Sequence, residues 1–519
     1  MMEVGVRLIG LILRFLSFFL CPIFWFRARD ERRLPPIEDP VLLKSAAQLA
    51  TAIRIGELTS EYVVSVYISR INATNKYLNA VVDARYKLAL IEAKAADTEV
   101  AEARENGKLE ELARAKPLMG VPFTVKESCS LAGMSNAVGC LDKAGSKATV
   151  DGAAVSRMRA AGAIPLAVTN TPELCLGWET TNLLRGTTCN PYDFNRTPGG
   201  SSGGEAALLA SGASCCGVAS DIAGSIRIPA AFCGVFGHKP TPGIVPITGH
   251  IPTLSDALYS RLLAVGPMAR HAEDLPLLLG VMAGERRVEL RLDCPVDIGG
   301  VKVYYMLESC KSPALIPVEP VIAEMIVRAK DYLHSCGATV SEEKFEELED
   351  SVEISVSVFF SMKDIPDMLE DPVNPKCPGG VGVVLAGVCG RRRSRQALGF
   401  ALVRGCQLFI PRARRPHYAR RAAALADTLT KALGSTGVLL YPVFPHAAHR
   451  HGEVYVRAAG VMYSMVFNVL GLPATAVPVG VHRGLPLAIQ VIAAPNQDRL
   501  CLAVAKELEK AFGGWQPPN

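Results

Sequence analysis

Residues 197–212 read TPGGSSGGEAALLASG, a glycine- and serine-rich turn that leads into a helix-forming run. The glycines around Ser201 and Ser202 allow backbone conformations with positive φ and let other groups approach closely. Exposed N–H groups at such a turn can hold an anion or a developing oxyanion. Taken alone, the stretch is more typical of a flexible turn, and it lacks the Gly-Lys-Ser/Thr ending of a phosphate-binding loop.

Two further stretches supply reactive side chains. Residues 220–230 read SDIAGSIRIPA and follow a short apolar strand predicted over 215–219, so Ser225 lies in a turn where a nucleophile and N–H donors can be placed. The stretch GVPFTVKE places Lys126 at the end of a strand predicted over 117–125. Each stretch also has a plain structural interpretation, as a tight turn or a solvated lysine.

The order of these three stretches along the chain, together with FNVLGLPATAVPVG (467–480) and GLPLAIQV (484–491), resembles the amidase signature family over about residues 40–512. The resemblance implies an α/β fold with a mixed, twisted central β-sheet flanked by α-helices on both faces. The residues themselves indicate the same class, because a predicted helix over 152–161 is followed by a strand over 163–168. Residues 84–115 predict one or two exposed amphipathic helices.

In that family the catalytic set is Ser–Ser–Lys rather than Ser–His–Asp. The resemblance implies Ser225 as nucleophile, Ser201 as bridging hydroxyl and Lys126 as base, with a cis peptide before Ser201. A serine hydroxyl needs a neighbouring base to become a good nucleophile, and an ammonium cannot accept a proton. We therefore expect Lys126 to be partly desolvated, with Ser201 relaying the proton because a hydroxyl both donates and accepts.

The resemblance also implies roles for the residues around Ser225. The oxyanion hole would be formed by four backbone N–H groups, those of Ile222, Ala223, Gly224 and Ser225. The family pattern has glycine at position 223, so Ala223 is strained if that position requires positive φ. Ser202, Asp221 and Arg227 match family positions and are expected to fix the loops, through a charge-assisted Asp–Arg contact.

The N-terminus is the most apolar part of the sequence. Residues 8–26 read LIGLILRFLSFFLCPIFWF, about one bilayer crossing for a helix, with a single charge at Arg14. Arginines at 27, 29, 32 and 33 follow in place of a small-residue cleavage site. We expect residues 1–30 to form a retained membrane anchor, single-pass or monotopic, with its orientation left open. Residues 31–519 would form the amidase signature domain, with the Ser-Ser-Lys core over about 117–240.

Composition excludes several classes of protein. The 519 residues are 49% hydrophobic and 20% charged, which is globular and not disordered. A net charge of +5 is small for a nucleic-acid-binding protein, so no nucleic-acid partner is expected. The 15 cysteines contain no Cys-x-x-Cys pair and are expected to be reduced thiols.

Two other patterns admit a functional interpretation. His446, His449 and His451 lack a carboxylate or cysteine at metal-binding spacing, so a polar loop is favoured, and neither a metal nor a cofactor is expected. Residues 391–421 contain ten arginines around an apolar run. That stretch is either a solvated basic face or a cap that sits on anionic lipid.

The motifs and the apolar N-terminus together lead to one expected function. It is a serine hydrolase that cleaves fatty-acid primary amides and N-acyl ethanolamides to fatty acid and amine, on an intracellular membrane such as the endoplasmic reticulum or a lipid droplet. Its expected partners are the fatty-acid amide substrate and membrane lipid, and a homodimer is left open. The alternatives are an amidase for short or polar amides, similar to an amidotransferase subunit, and a membrane-tethered pseudoenzyme that binds lipid.

Overall fold

The computed structural model describes residues 4–25, 31–309, 315–365, 394, 400 and 410–518. Its strands are β1 (Val81–Ala84), β2 (Pro122–Lys126), β3 (Ile164–Thr169), β4 (Thr181–Asn182), β5 (Gly186–Thr187), β6 (Cys216–Asp221), β7 (Phe236–Lys239), β8 (Ala264–Ala269), β9 (Lys302–Tyr305), β10 (Thr339–Ser341), β11 (Gly437–Pro442), β12 (Ala474–His482) and β13 (Leu485–Ala493).

Eleven of these strands form one sheet in the order β1-β3-β2-β6-β8-β7-β12-β13-β11-β9-β10, and β4 and β5 form a separate pair. The sheet is mixed, since β2 runs parallel to both β3 and β6 while β6 runs antiparallel to β8. Thr124 of β2 is in register with Gly217 of β6. The two strands therefore end at the same edge of the sheet, which brings Lys126 beside the end of β6.

The described helices are α1 (Val4–Trp25), α2 (Ala46–Ile55), α3 (Ser60–Leu78), α4 (Tyr86–Glu105), α5 (Leu109–Ala115), α6 (Ala153–Ala160), α7 (Gly203–Ala210), α8 (Arg227–Cys233), α9 (Ala257–Leu262), α10 (Asp274–Ala283), α11 (Arg287–Leu290), α12 (Pro320–Ser335), α13 (Ser351–Phe359), α14 (Arg415–Leu433), α15 (Val454–Arg457), α16 (Met462–Val469) and α17 (Asp498–Phe512). The predicted α/β class with a mixed sheet and flanking helices is confirmed.

Buried apolar side chains lie on both faces of the sheet. Along β11, Val438 and Leu440 belong to one core cluster, whereas Leu439 and Tyr441 belong to the other. Because successive side chains of a strand point to opposite faces, the two clusters lie on opposite sides of the sheet. The ten cysteines whose side chains are described are free thiols.

Helix α7 is fully buried because small residues let it pack closely against its neighbours. A Cβ on Gly204 would lie 2.5 Å from the backbone nitrogen of Asn170 and 2.9 Å from the carbonyl oxygen of Ala80. The glycines after Ser202 therefore serve close packing at this point, in addition to any freedom they give the turn.

Helix α1 carries its charged and apolar residues on different sides. Arg14 donates a hydrogen bond to the carbonyl of Leu315, and Arg7 lines a groove with the acidic turn Glu346–Asp350. Leu8, Phe15 and other apolar side chains of α1 are exposed. Among the described residues, no helix combines the length and the apolarity that a membrane crossing requires. The expected spanning anchor is thus not confirmed.

The basic stretch 391–421 lies mostly outside the described residues. Its last part is described and contains a short turn, Arg412–Arg414, and the start of α14. The prediction of a lipid-contacting cap therefore remains a prediction.

Candidate active site

Lys126 ends β2 and its side chain is completely buried. Its Nζ donates hydrogen bonds to Ser201 Oγ at 2.7 Å, to Ser220 Oγ at 2.9 Å and to the Ser220 carbonyl oxygen at 3.2 Å. All three acceptors are oxygens of serine residues. An amine held in this way is close to a hydroxyl and removed from solvent, which is the placement that a lysine base requires.

Ser201 and Ser225 lie in neighbouring turns. The Gly200–Ser201 peptide is cis, as the resemblance implies. The backbone N–H of Ser202 donates to the Ser225 carbonyl at 3.2 Å, and Ser202 Oγ donates to the Ser220 carbonyl at 3.4 Å. The structure thus places Lys126 in direct contact with Ser201, and joins the loop of Ser225 to the residue that follows Ser201. Ser201 and Ser225 are both almost fully buried.

The loop before Ser225 requires a left-handed residue at Gly224, whose φ is +95°, and not at Ala223. A Cβ at Gly224 would also lie 2.7 Å from Ile228 Cδ1 and 2.8 Å from Ser464 Cβ. Strain at Ala223 was expected only if position 223 had positive φ, and it does not. Trp178 Nε1 donates to the Ala223 carbonyl at 3.2 Å and helps to hold that peptide in place.

The carboxylate of Asp221 organises the same loop. It accepts from the N–H of Gly224 at 2.7 Å and from the N–H of Ile226 at 3.1 Å. The Gly224 donor is consequently directed to Asp221, which leaves Ile222, Ala223 and Ser225 as candidate donors to an oxyanion. Of the four donors that the resemblance implies, Gly224 is the one with a carboxylate partner.

Asp221 and Arg227 form a buried ion pair. Arg227 Nε and Nη2 lie 3.0 and 3.1 Å from the two carboxylate oxygens, and both side chains are fully buried. Desolvation opposes ionisation of Asp221, but the guanidinium and the backbone donors outweigh it and lower the pKa of the carboxyl. Arg227 also donates to the Ser464 carbonyl at 2.9 Å and to Asn468 Oδ1 at 2.6 Å.

Two buried residues near the site were given no role in the sequence analysis. Glu205 of α7 accepts from Thr124 Oγ1 on one oxygen and from Thr169 Oγ1 at 2.8 Å on the other, and burial raises its pKa to about 7. His250 Nε2 lies 2.9 Å from Ser220 Oγ. The glutamate of GGSSGGE was visible in the sequence as part of the motif, whereas no local pattern marks His250.

The three histidines near position 450 occupy different surroundings. His451 Nδ1 lies 2.9 Å from Glu179 Oε1. Burial lowers the pKa of this imidazole, but its hydrogen bonds with Cys189 and Glu179 outweigh burial and raise the pKa to about 10. His446 and His449 are buried beside Phe444, and burial lowers the pKa of each. Within the described residues no group of three or more histidine, cysteine or carboxylate side chains is arranged to hold a metal ion.

Apolar side chains lie next to the loop that precedes Ser225. Trp178, which holds the Ala223 carbonyl, lines a small gap together with Leu176, Phe400 and Val454. Helix α15, which contains Val454, packs against α1. The apolar N-terminal helix therefore lies on the side of the molecule where this apolar lining is found.

Comparison with known proteins identifies the family of the chain. The amidase family profile matches residues 62–502. Fatty-acid amide hydrolase 2-A of Danio rerio is 38% identical over 537 residues, which cover 99% of this chain and 98% of that protein. Fatty-acid amide hydrolase 2 of Homo sapiens is 37% identical, with 93% of this chain and 92% of that protein covered.

A solved structure of a fatty acid amide hydrolase superposes with a TM-score of 0.73. It is 21% identical in sequence and the match covers 93% of this chain and 87% of that one, so it establishes the likeness of the folds. The family profile and the two relatives extend over most of the chain, and the resemblance seen in the motifs is confirmed. The chain belongs to the amidase signature family of amide hydrolases.

Proposed function

We propose that the chain is a membrane-associated serine hydrolase that cleaves fatty-acid primary amides and N-acyl ethanolamides through Ser225, Ser201 and Lys126. The observation that carries the proposal is the 2.7 Å contact between Lys126 Nζ and Ser201 Oγ in a buried site, with the Ser225 carbonyl bonded to the next residue, Ser202. The two relatives named above are fatty-acid amide hydrolases.

The proposed reaction is acyl transfer in two stages. The uncharged amine of Lys126 accepts a proton from Ser201, which takes the proton of Ser225 as Ser225 Oγ attacks the amide carbonyl carbon. The backbone N–H groups of Ile222, Ala223 and Ser225 stabilise the oxyanion that forms. The C–N bond then breaks, the proton returns through Ser201 to the leaving nitrogen, and an acyl-enzyme remains.

Hydrolysis of the acyl-enzyme repeats these steps with water. Water attacks the ester carbonyl and loses its proton to Lys126 through Ser201. The second tetrahedral intermediate releases the fatty acid as the proton returns to Ser225, so every proton taken from a nucleophile is given to a leaving group. No step requires a cofactor.

The apolar surroundings favour a long acyl chain over a short polar amide. Leu176, Trp178 and Val454 present apolar surface beside the proposed oxyanion hole, where the acyl group of a bound substrate would begin. Burial of an acyl chain stabilises binding by about 0.8 kcal/mol for each methylene. A polar amide gains nothing from such a lining.

The second part of the proposal concerns location. We propose that the exposed apolar side of α1 binds the surface of an intracellular membrane, with the helix lying along the interface. Phe15 and Phe18 are 64% and 76% exposed, while Arg14 contacts the body of the protein. The arginines at 27, 29, 32 and 33 that follow α1 in the sequence favour anionic lipid.

Labelling with a fluorophosphonate probe tests the catalytic part. Wild-type protein should label, Ser225→Ala should not, and Ser211→Ala should label like the wild type because the hydroxyl of that buried serine donates to the Leu208 carbonyl within the last turn of α7. Wild-type protein that does not label would contradict the enzymatic proposal and support a pseudoenzyme.

Hydrolysis rates of oleamide, an acyl ethanolamide and a short-chain amide test the substrate class. We expect kcat/KM for both lipid amides to exceed that for the short amide by at least tenfold. A preference for the short amide, with labelling intact, would retain the serine mechanism and replace the lipid substrate with a polar one.

A further inference from the structure

We propose that His250 is a positioning residue that, through Ser220, directs the lone pair of Lys126 towards Ser201. The inference rests on the proposed role of Lys126 as base. Ser220 Oγ lies 2.9 Å from both His250 Nε2 and Lys126 Nζ, so one hydroxyl joins the imidazole to the amine. All three side chains are buried, which removes water as a competing partner.

The tautomer of His250 follows from the partners of Nδ1. That nitrogen lies 2.9 Å from the hydroxyl of Tyr259 and 3.3 Å from the carbonyl oxygen of Pro252. A carbonyl only accepts, and Tyr259 gives its own proton to the same Pro252 carbonyl. Both oxygens near Nδ1 therefore accept from it, so the proton of the neutral imidazole is on Nδ1 and Nε2 carries the lone pair.

The direction of the next hydrogen bonds is then fixed. Ser220 donates its only hydroxyl proton to His250 Nε2, and its oxygen is left to accept from Lys126. An uncharged amine has two N–H groups and one lone pair. Its N–H groups are directed to Ser220 Oγ and to the Ser220 carbonyl, and the lone pair is left for the proton of Ser201 at 2.7 Å.

Without an acceptor at Nε2, the Ser220 hydroxyl would be free to donate to the lone pair of Lys126 and to compete with Ser201. The imidazole stays neutral, because burial lowers the pKa of His250 and a charged Lys126 lowers it further, to about 3. Lys126, at the end of β2, is the group on one side of His250 that carries a charge when protonated, and Tyr259 of α9 is the titratable group on the other side. Burial by itself disfavours the charged imidazole, so His250 stays neutral beside the uncharged form of Lys126 as well.

Two substitutions test the inference, and both place a carboxamide of the same chemistry at position 250. The amide of His250→Gln reaches the place of Nε2 and can accept from Ser220, whereas the shorter amide of His250→Asn reaches only the place of Nδ1. We expect His250→Asn to lower kcat by 10- to 100-fold with KM changed less than threefold, and His250→Gln to keep kcat within threefold of the wild type. Thermal unfolding of each variant shows whether the fold is retained.

The role of Ser220 as the link between His250 and Lys126 is tested in the same assay. Ser220→Ala should lower kcat as His250→Asn does, and adding His250→Asn to Ser220→Ala should cause less than a twofold further loss, because the histidine acts through the serine. His446→Asn provides the matched control, since it alters another buried histidine and should leave kcat within twofold.

The outcomes separate this inference from the proposed function. Wild-type protein that neither labels nor hydrolyses amides would contradict the function itself. With an active wild type, equal kcat for His250→Asn and His250→Gln, fully additive losses with Ser220→Ala, or an equal loss in His446→Asn would overturn the role of His250. If His250→Asn does not fold, a loss of more than threefold in the kcat of His250→Gln would also overturn the role of His250.

Discussion

Within the described part of the chain, the amine of Lys126 donates to serine oxygens and forms no ion pair with a carboxylate, although the side chain is completely buried. Buried lysines that serve stability are usually paired with a carboxylate, because an unpaired ammonium is costly to desolvate. Here the partners are hydroxyl and carbonyl oxygens of Ser201 and Ser220. The arrangement is suited to an amine that exchanges a proton.

Removal of this amine gives the first prediction. We expect Lys126→Ala to lower kcat roughly 10²- to 10⁴-fold at neutral pH with little change in KM, since a general base contributes in that range. Activity should recover in part at high pH, where hydroxide replaces the base. Lys116→Ala, which removes a half-exposed lysine paired with Glu99, is the control. A pH profile identical to that of the wild type would contradict the role of Lys126.

The loop before Ser225 gives a matched pair of substitutions. Ala223→Gly should change kcat less than threefold, because position 223 does not adopt positive φ. Gly224→Ala should lower kcat strongly, roughly 100-fold or more. The added Cβ would meet Ile228 and Ser464 and so displace the neighbouring N–H groups that are proposed to bind the oxyanion. Steady-state kinetics with one lipid amide compares the two variants. Similar losses of kcat in the two variants would contradict the conclusion that only position 224 of this pair requires positive φ.

At the scale of single residues, the motifs predicted those contacts whose partners both lie in or next to a recognisable motif. Lys126, Ser201 and the Asp221–Arg227 pair are all in or next to such stretches, and the structure brings each pair together. His250 was missed because its contact depends on a turn between β7 and α9 that has no recurring spacing. The engagement of Gly224 by Asp221 was also missed, since a backbone N–H has no signature in sequence.

At the scale of elements, Arg227 is the link between α8 and the rest of the site. Its guanidinium contacts Asp221 at the end of β6, Ser464 and Asn468 in α16, and Gln490 in β13. Three elements far apart in sequence thus converge on one cation. The position of the proposed oxyanion loop depends on all of them.

Neutralisation of Asp221 tests this link. We expect Asp221→Asn to lower the free energy of unfolding by about 3–5 kcal/mol, because it leaves Arg227 buried without its counter-charge. Because the folded-state pKa of Asp221 is lowered, its contribution is fully present above the ordinary carboxyl pKa and is lost as the pH falls through the lowered value. Denaturant unfolding at neutral and acidic pH measures both effects.

The control for this substitution is Asp427→Asn. Asp427 forms an exposed pair with Lys431 in α14, and such pairs contribute less than about 1 kcal/mol. Equal losses in Asp221→Asn and Asp427→Asn would contradict the structural importance of the buried pair.

Element boundaries were predicted where periodicity or composition changes sharply. The helix expected over 152–161 is observed as Ala153–Ala160, and the strand over 163–168 as Ile164–Thr169. The strand expected from 117 begins only at Pro122, because the preceding residues form a turn that packs on Gly162. Pairing partners across the sheet cannot be predicted from such local patterns, since they depend on the topology.

At the scale of the whole molecule, the burial of Glu205 predicts that stability depends on pH. Its folded-state pKa of about 7 is above the ordinary 4.5, so its contribution is fully present below the ordinary value and is lost as the pH rises through 7. The difference corresponds to about 3 kcal/mol. We expect the unfolding midpoint temperature to fall between pH 5 and pH 8.

The substitution Glu205→Gln isolates this effect. It should flatten the dependence of the midpoint on pH, whereas Glu102→Gln, at an exposed position of α4, should leave the dependence as in the wild type. An unchanged slope in Glu205→Gln would assign the dependence to other groups.

The exposed side of α1 gives the last prediction. We expect the full chain to co-sediment with anionic vesicles and the double variant Phe15→Glu, Phe18→Glu to remain in the supernatant, because two charges would have to enter the acyl region. Val288→Glu alters another exposed apolar residue, far from α1 in the sequence, and should still pellet. Equal pelleting of all three proteins would contradict membrane binding through α1.

The partners of Arg227 also determine when, during synthesis, the site can first exist. Ser464, Asn468 and Gln490 leave the ribosome long after Ser225 and Lys126 have emerged. A nascent polypeptide that has delivered Ser225 and Lys126 still lacks the groups that hold Arg227. The loop around Ser225 can therefore reach its final geometry only after residue 490 has emerged.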